Sequence, residues 1–446
     1  MNKQTIQISE LPEEITEDGL KIYGPTSYET QVAILSHYLH NYDGKNDIQS
    51  SERRYEILEA IRDYIEYKRQ HDKKNPIWED YDDDMISKVA ESPLQNDLFS
   101  DFFQVPFPAP KNPKFTFIDL FAGIGGFRIA MQELGGKCVY SSEFDAQAQR
   151  TYFANYGEMP FGDITKDVTK SYIPQKFDIL CAGFPCQAFS LAGKRLGFED
   201  ETRGTLFFEI EKILKTRDVK AFFLENVKGL EIHKGGQTLN TILDHLDKAG
   251  YDVVKPPKTV NAMDFGVPQH RERLYIIGFR KDLNINVEDF HYPDPITPKG
   301  HRVPFKDVME KDEVSVKYYL SDVYLETLRR HRARHEAAGH GFGYEIIDKN
   351  GVANAIVVGG MGRERNLIID DRLTDFRPVT NIHGEVNREG VRKMTPREWA
   401  RLQGFPEEFK IVVADASAYK QFGNSVAIPA IKATAEKELK LLNLID

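Results

Sequence analysis

A thiol and two neighbouring groups carry the chemistry this chain advertises. Cys186 stands near the end of the stretch Asp178-Ile179-Leu180-Cys181-Ala182-Gly183-Phe184-Pro185-Cys186-Gln187. An apolar run stopped by a small-residue turn predicts a buried parallel strand whose loop presents Cys186 at the carboxyl edge of the sheet, where open α/β folds place their chemistry. Pro185 fixes one backbone torsion and so limits the conformations in which the sulfur could lose its aim. Taken alone, these residues fit a buried, inert cysteine equally well. A second apolar strand, Ala221 to Leu224, ends at Glu225-Asn226-Val227. Glu225 by itself could cap a helix, but a carboxylate beside a nucleophile at one sheet edge is a sharper finding. Third, Gln269-His270-Arg271-Glu272-Arg273 leads into a strand from Leu274 to Gly278. Alternation sets Gln269, Arg271 and Arg273 on one side, where two guanidinium groups could meet a phosphate and a base oxygen. On these residues alone a solvated ion-pair ladder with Glu272 is the favoured reading.

The elements that position these groups alternate in type. Phe115 to Leu120 predicts a strand, Ala122-Gly123-Ile124-Gly125-Gly126 a tight loop, and Phe127 to Leu134 a helix ended by Gly135-Gly136. Lys137 to Ser142 gives a second strand, ending at Glu143. Glu143 follows Gly123 by twenty residues, the spacing at which a Rossmann-type unit sets a carboxylate against ribose hydroxyls. A nucleoside site is expected there. The dinucleotide fingerprint would need glycine at position 128, which is Arg128, and this argues against a pyrophosphate cofactor. Helix Ala146 to Tyr156, loop Gly162-Asp163-Ile164 and helix Leu206 to Leu214 continue the rhythm of an α/β fold with a mostly parallel sheet.

The flanks differ. Two helix-like stretches, Tyr28 to Tyr42 and Glu52 to Gln70, precede an acidic run and a linker holding Pro106, Pro108, Pro110 and Pro113. Nothing there points to specific chemistry, so residues 1–112 are expected to form a solvated helical extension. Residues 281–391 lose the alternation and are rich in Gly, Pro, Arg and His. Their loop Gly359 to Asn366 carries Arg363 and Arg365 on a glycine-rich backbone suited to groove contacts, although charge runs are more often solvated faces. Thr395-Pro396-Arg397-Glu398 is a capping box opening a helix, and Phe422-Gly423-Asn424-Ser425-Val426 precedes a last helix from Ile428 to Leu442.

At 446 residues the chain can hold two or three domains. It has no apolar run of the ~20 residues a bilayer span needs and no signal-like start, so a soluble, cytoplasmic protein is expected. Three cysteines without metal-ligand spacing predict neither disulfides nor a metal site. The net charge of −10 is uneven: residues 1–112 carry 12 basic and 22 acidic side chains, the remainder 47 of each. A neutral body of this kind neither requires nor excludes a polyanionic partner.

Taken together and in order, Asp119 to Phe127, Phe184 to Gln187, Glu225 to Val227, Gln269 to Arg273, Arg392 to Pro406 and Phe422 to Val426 resemble the DNA (cytosine-5)-methyltransferases of bacterial restriction-modification type. The resemblance covers residues 115 to about 440. It implies a Rossmann-like class I methyltransferase fold split into 113–280 and 392–446 around a target-recognition domain, 281–391, with 1–112 outside. It implies S-adenosyl-L-methionine as cofactor, lined by Phe121, Gly123 and Gly125. Glu143 would bind the ribose, Phe144 stack on adenine, and Asp163 and Ile164 hold the adenine edge. Leu206, Asn424 and Ser425 would close the site. Phe144 departs from the bulkier aromatic of some members. The resemblance further implies Cys186 as nucleophile, Glu225 as acid and Arg271 and Arg273 as the electropositive surround. Pro185, Gln187, Asn226, Arg363 and Arg365 would face the substrate. The implied partners are duplex DNA, bound by a monomer, and a cognate restriction endonuclease acting on the same site.

The chemistry accounts for the residue types. Carbon 5 of cytosine is a poor nucleophile, and thiolate addition at carbon 6 makes it electron-rich. A cysteine of pKa about 8.5 needs a positive surround to ionise. An acid at ring nitrogen 3 offsets the charge built up during attack, and the base must first leave the duplex at a cost of a few kcal/mol. A tRNA cytosine methyltransferase is the nearest rival and a non-catalytic DNA-binding regulator a more distant one. A nucleotide-dependent dehydrogenase is disfavoured by Arg128.

Overall fold

The structure, a computed structural model, describes residues 28–42, 53–72, 78, 81–91, 97–185, 206–297, 302–341, 343–359, 362–378 and 384–446. Four strands, β1 (Phe115–Leu120), β2 (Gly136–Ser142), β3 (Lys176–Gly183) and β4 (Asp218–Val227), pair in parallel. The chain then adds β5 (Tyr251–Val253), β6 (Lys258–Asn261), β7 (Gln269–His270) and β8 (Glu272–Arg280). The seven-stranded sheet has the order β2-β1-β3-β4-β8-β5, with β6 also on β8, which runs antiparallel to its three neighbours. From β1 the chain goes first to β2 on one side and later to β3 on the other. Such a reversal opens a crevice at the carboxyl ends of the strands.

Both faces of the sheet are covered, which is why its strands do not alternate apolar and polar residues. Leu180 and Ala182 of β3 join one core with Ile118, Leu120, Phe222 and Leu224. Ile179 and Cys181 join another with Phe117, Ala221 and Phe223. Helices Leu206–Thr216 and Gln237–Lys248 contribute to the first core. Helices Gly126–Glu133 and Ile428–Leu441 contribute to the second, where the two pack on each other and so bring the carboxyl-terminal segment back onto the helix that follows β1.

The expectation of a solvated amino-terminal extension is corrected. Helices Tyr28–Asn41 and Arg54–His71 bury Leu35, Leu39, Ala60, Ile61 and Ile65 in the same cluster as the first face of the sheet. Their apolar faces are covered by the body that carries the sheet.

Within 281–391 the regular elements are sparse: helix Asp322–Ala337, β9 (Ala353–Asn354) parallel to β7, and β10 (Ile368–Ile369) antiparallel to β11 (Val391–Arg392). Phe305, Ile347, Ala353 and Ile356 nevertheless belong to the second core. Arg392 is fully buried and donates to Asp370 (2.9 Å) and to both oxygens of Glu398 (2.8 and 2.9 Å). Glu398 also completes the expected capping box with Thr395.

Candidate active site

The glycine loop after β1 is built on left-handed backbone at Phe121 (φ +56°), Gly123 (+56°) and Gly125 (+83°). At Gly125 a Cβ would lie 2.5 Å from the Tyr156 ring, whose hydroxyl donates to the carbonyls of Ile124 and Gly125 (3.2 and 2.9 Å). The loop is thereby pinned, and its Gly123 N–H donates to Glu143 Oε2 at 2.8 Å. Glu143 Oε1 accepts from the Asp145 N–H at 2.8 Å. Burial raises the Glu143 pKa against these hydrogen bonds, which favour the charged form. Next to it the Phe144 ring is 78% exposed, unusual for so large an apolar group. Asp163 is exposed, with Oδ1 accepting the Thr165 N–H and hydroxyl, while Ile164 is buried.

Phe121, Gly123, Glu143, Phe144, Asp163, Ile164, Leu206 and Asn424 all line one cleft of about 770 Å³. Gly125 and Ser425 stand behind its wall instead of lining it. A Cβ on the adjacent Gly126 would meet Ser425 Oγ at 2.8 Å, so the glycines admit the returning carboxyl-terminal segment. Arg128, the residue that breaks the dinucleotide fingerprint, points into the core: it donates to Glu158 (2.5 Å), the Tyr152 hydroxyl (3.1 Å) and Gln132 (2.6 Å).

The same cleft continues to Gly183, Pro185, Glu225, Asn226, Arg271 and Arg273. Gly183 of β3 and Glu225 of β4 are register partners, so the loop entering Cys186 starts beside the carboxylate. Cys186 and Gln187 lie outside the described residues. Asn226 is buried, and its amide donates to the Phe184 carbonyl at 2.9 Å, so it holds the protein's own loop at the point where that loop begins. Cys138 and Cys181 are fully buried; burial pushes the first thiol up to about 12 and the second upward as well, which leaves both inert.

Alternation from Gln269 to Arg271 is observed: Gln269 and Arg271 are buried and His270 is exposed. The predicted ladder with Glu272 is not. Glu272 pairs with Lys228 (3.0 Å), and the Arg273 guanidinium meets Glu225 Oε1 at 3.0 Å. Burial raises the Glu225 pKa, opposed by Arg273 and then Arg271. Arg271 itself donates to the carbonyls of Ile356 (3.0 Å), Gly423 (3.3 Å) and Ser425 (2.6 Å). Its terminal nitrogens thus tie three parts of the chain together in place of the phosphate or base oxygen that the sequence allowed, and its charge opposes the effect of burial on Glu225.

Arg363 and Arg365 are exposed and do not line the cleft; the Arg363 guanidinium lies 5.4 Å from the Tyr419 ring centroid. Lys420 was missed by sequence reasoning. It lines the cleft and meets Asp145 Oδ2 at 2.5 Å across 275 residues of chain, a contact no local pattern signals.

Comparison with known proteins decides the family. The family model for C-5 cytosine-specific DNA methylases matches residues 115–440. The chain belongs to that family. This methylase is 65% identical over 346 residues to the type II methyltransferase M.HpaII of Haemophilus parainfluenzae, covering 76% of this chain and 95% of the relative. It is 44% identical over 331 residues to M.DsaV of Dactylococcopsis salina (74% and 87% covered) and 39% over 328 residues to M.HhaI of Haemophilus parahaemolyticus (72% and 92%). The Dnmt2 methyltransferase of S. pombe shares the fold at 18% identity, with TM-score 0.55 over 74% of this chain and 99% of that one. The methylase is thus a DNA cytosine-5 methyltransferase with a Rossmann-like fold. Among its described residues no helix is long and apolar enough to cross a membrane, and no cluster of potential metal ligands occurs.

Proposed function

We propose that the enzyme methylates carbon 5 of a cytosine turned out of duplex DNA, within a specific sequence, as the modification partner of a restriction endonuclease, and that S-adenosyl-L-methionine is its donor. One observation carries the reading: the register of Gly183 with Glu225 brings the start of the Cys186 loop and a buried, arginine-paired carboxylate into the cleft that also holds Glu143 and Phe144. The cofactor fits the residues present. Gly123 has nothing within 4 Å of where a Cβ would stand, so the loop leaves open space for an adenosyl group. Phe144 offers a free ring face, and Glu143 a carboxylate already oriented by two N–H donors. Bound there, the sulfonium would supply an electrophilic methyl group.

In this reading the Cys186 thiolate adds to carbon 6, aided by the positive charge of Arg271 and Arg273. Glu225, whose pKa burial raises, shares a proton with ring nitrogen 3 while charge builds there. Asn226 keeps the thiol-bearing loop at the sheet edge through Phe184. After methyl transfer water takes the carbon-5 proton, the released electron pair re-forms the double bond between carbons 5 and 6, and the thiolate leaves from carbon 6. Arg363 and Arg365, on the 281–391 segment, face the duplex. The type II names of the relatives at 39–65% identity support a restriction-modification role.

The test is to incubate the enzyme and donor with a duplex carrying 5-fluorocytosine, alongside a tRNA substrate in parallel. An adduct on the duplex that survives boiling in detergent and maps to Cys186 is expected. No adduct, a different peptide, or modification of tRNA alone refutes the proposal.

A further inference from the structure

The family match begins at residue 115, yet the helix Tyr28–Asn41 makes specific polar contacts with the backbone leading into the cofactor end of the cleft. Ser36 is fully buried; its hydroxyl donates to the Ala33 carbonyl (3.1 Å) and accepts the Met159 N–H (3.0 Å). His40 Nε2 lies 3.1 Å from the carbonyls of both Gly157 and Phe102, so it bears the proton and donates. Its Nδ1 stands 3.4 Å from Glu158 Oε1, the oxygen that also receives Arg128 from the helix after the glycine loop. Gly157 is shaped for this docking: its φ is +69°, and a Cβ there would sit 1.8 Å from the Phe102 carbonyl oxygen. Two residues beyond Met159, Phe161 donates to the Ser141 carbonyl (2.9 Å) and accepts the Glu143 N–H (2.8 Å). The next three residues, Gly162 to Ile164, line the cleft.

We infer that Ser36 and His40 are positioning residues for the adenosyl end of the cofactor cleft. The amino-terminal helix fixes the backbone from Gly157 to Met159, and that strap fixes Glu143 on one side and Asp163 on the other. Loss of the Ser36 hydroxyl leaves a buried N–H at Met159 unpaired, and the strap must shift to find another acceptor. The cleft's thiol and carboxylate edge, carried by β3 and β4, is untouched by this shift. The inference rests on the cofactor reading above.

The experiment uses the full chain with Ser36→Ala, His40→Leu and, as the conservative rescue, His40→Gln, whose amide can still donate to the Gly157 carbonyl. In Ser36→Ala and His40→Leu, KM for S-adenosylmethionine and Kd for S-adenosylhomocysteine by calorimetry should rise roughly five- to tenfold. The turnover number at saturating cofactor should stay within about twofold, and DNA affinity should not change. His40→Gln should recover most of the loss. Unchanged cofactor constants in a variant whose thermal midpoint has fallen would mean the contacts only stabilise the fold, and would overturn the inference. Should His40→Leu fail to fold, Ser36→Ala decides alone. A wild-type chain that binds no cofactor and transfers no methyl group would instead refute the function proposed above.

Discussion

Replacing Arg273 by Met tests how the cleft sets its acid. The wild-type Glu225 carboxyl is pulled in two directions: burial raises its pKa, while Arg273 at 3.0 Å and then Arg271 lower it. A cation at this distance favours the charged carboxylate. Arg273→Met removes that contribution and leaves burial opposed by Arg271 alone, so Glu225 keeps its proton to a higher pH than in the wild type. In the proposed mechanism the proton that Glu225 shares with ring nitrogen 3 is present below its folded pKa and absent above it. The alkaline fall of kcat/KM, followed by methyl transfer to duplex DNA, should therefore move to higher pH. Arg273→Lys should leave it near the wild-type position. The rate at the optimum should fall as well, since a positive charge near the thiol is lost, but the position of the limb is the diagnostic quantity. Stability follows the same sign: because the folded pKa lies above the ordinary carboxylate value, ionising Glu225 costs folding free energy as pH rises through it. Both side chains are largely buried, so breaking the pair should cost about 3 kcal/mol in urea unfolding at neutral pH, less once Glu225 protonates. An active Arg273→Met enzyme whose alkaline limb coincides with the wild type would refute this account of Glu225.

Three further outcomes are expected. Phe144→Ala should weaken cofactor binding by about 1–3 kcal/mol in calorimetry while leaving the thermal midpoint unchanged, because the ring is 78% exposed and packs on little; a fall in both would assign the ring to the fold. Glu438 is fully buried with neither carboxyl oxygen hydrogen-bonded among the described residues, and burial raises it to about 8. At ~1.36 kcal/mol per pH unit the wild type should lose up to about 4 kcal/mol between pH 5 and pH 8 from this group, a slope that Glu438→Gln removes in urea titrations and that, if retained, disproves the assignment. Gly125→Ala forces a left-handed alanine against the Tyr156 ring and should destabilise by at least ~2 kcal/mol; a neutral result would show that the loop can relax.

Much of this was legible in the sequence because strand-then-loop patterns report where a side chain emerges. The apolar run before Gly183 and the one before Glu225 each predict a strand end, and adjacency in the sheet makes them neighbours. Alternation likewise predicted that Gln269 and Arg271 share a side. Partners were not legible. Period tells that Arg273 shares a side with Gln269 and Arg271 but not that this side faces inward, nor that Glu225, 48 residues earlier, waits there. It could not show that Arg271 grips carbonyls from Ile356, Gly423 and Ser425, or that the amino-terminal helices bury their faces on the sheet, because each contact joins segments distant in the chain. The left-handed backbone at Phe121 also lacks a signature, since only glycine normally announces it.

The Arg271 clasp limits how far the 281–391 segment can vary. Under the proposed role of that segment in reading DNA, whatever it contacts, its Ile356 carbonyl must return to one guanidinium, and Arg392 must still find Asp370 and Glu398. Exchanging that segment with a relative should preserve activity when the exchange leaves these anchoring points intact, and should yield an insoluble or idle chimera when a junction cuts between them.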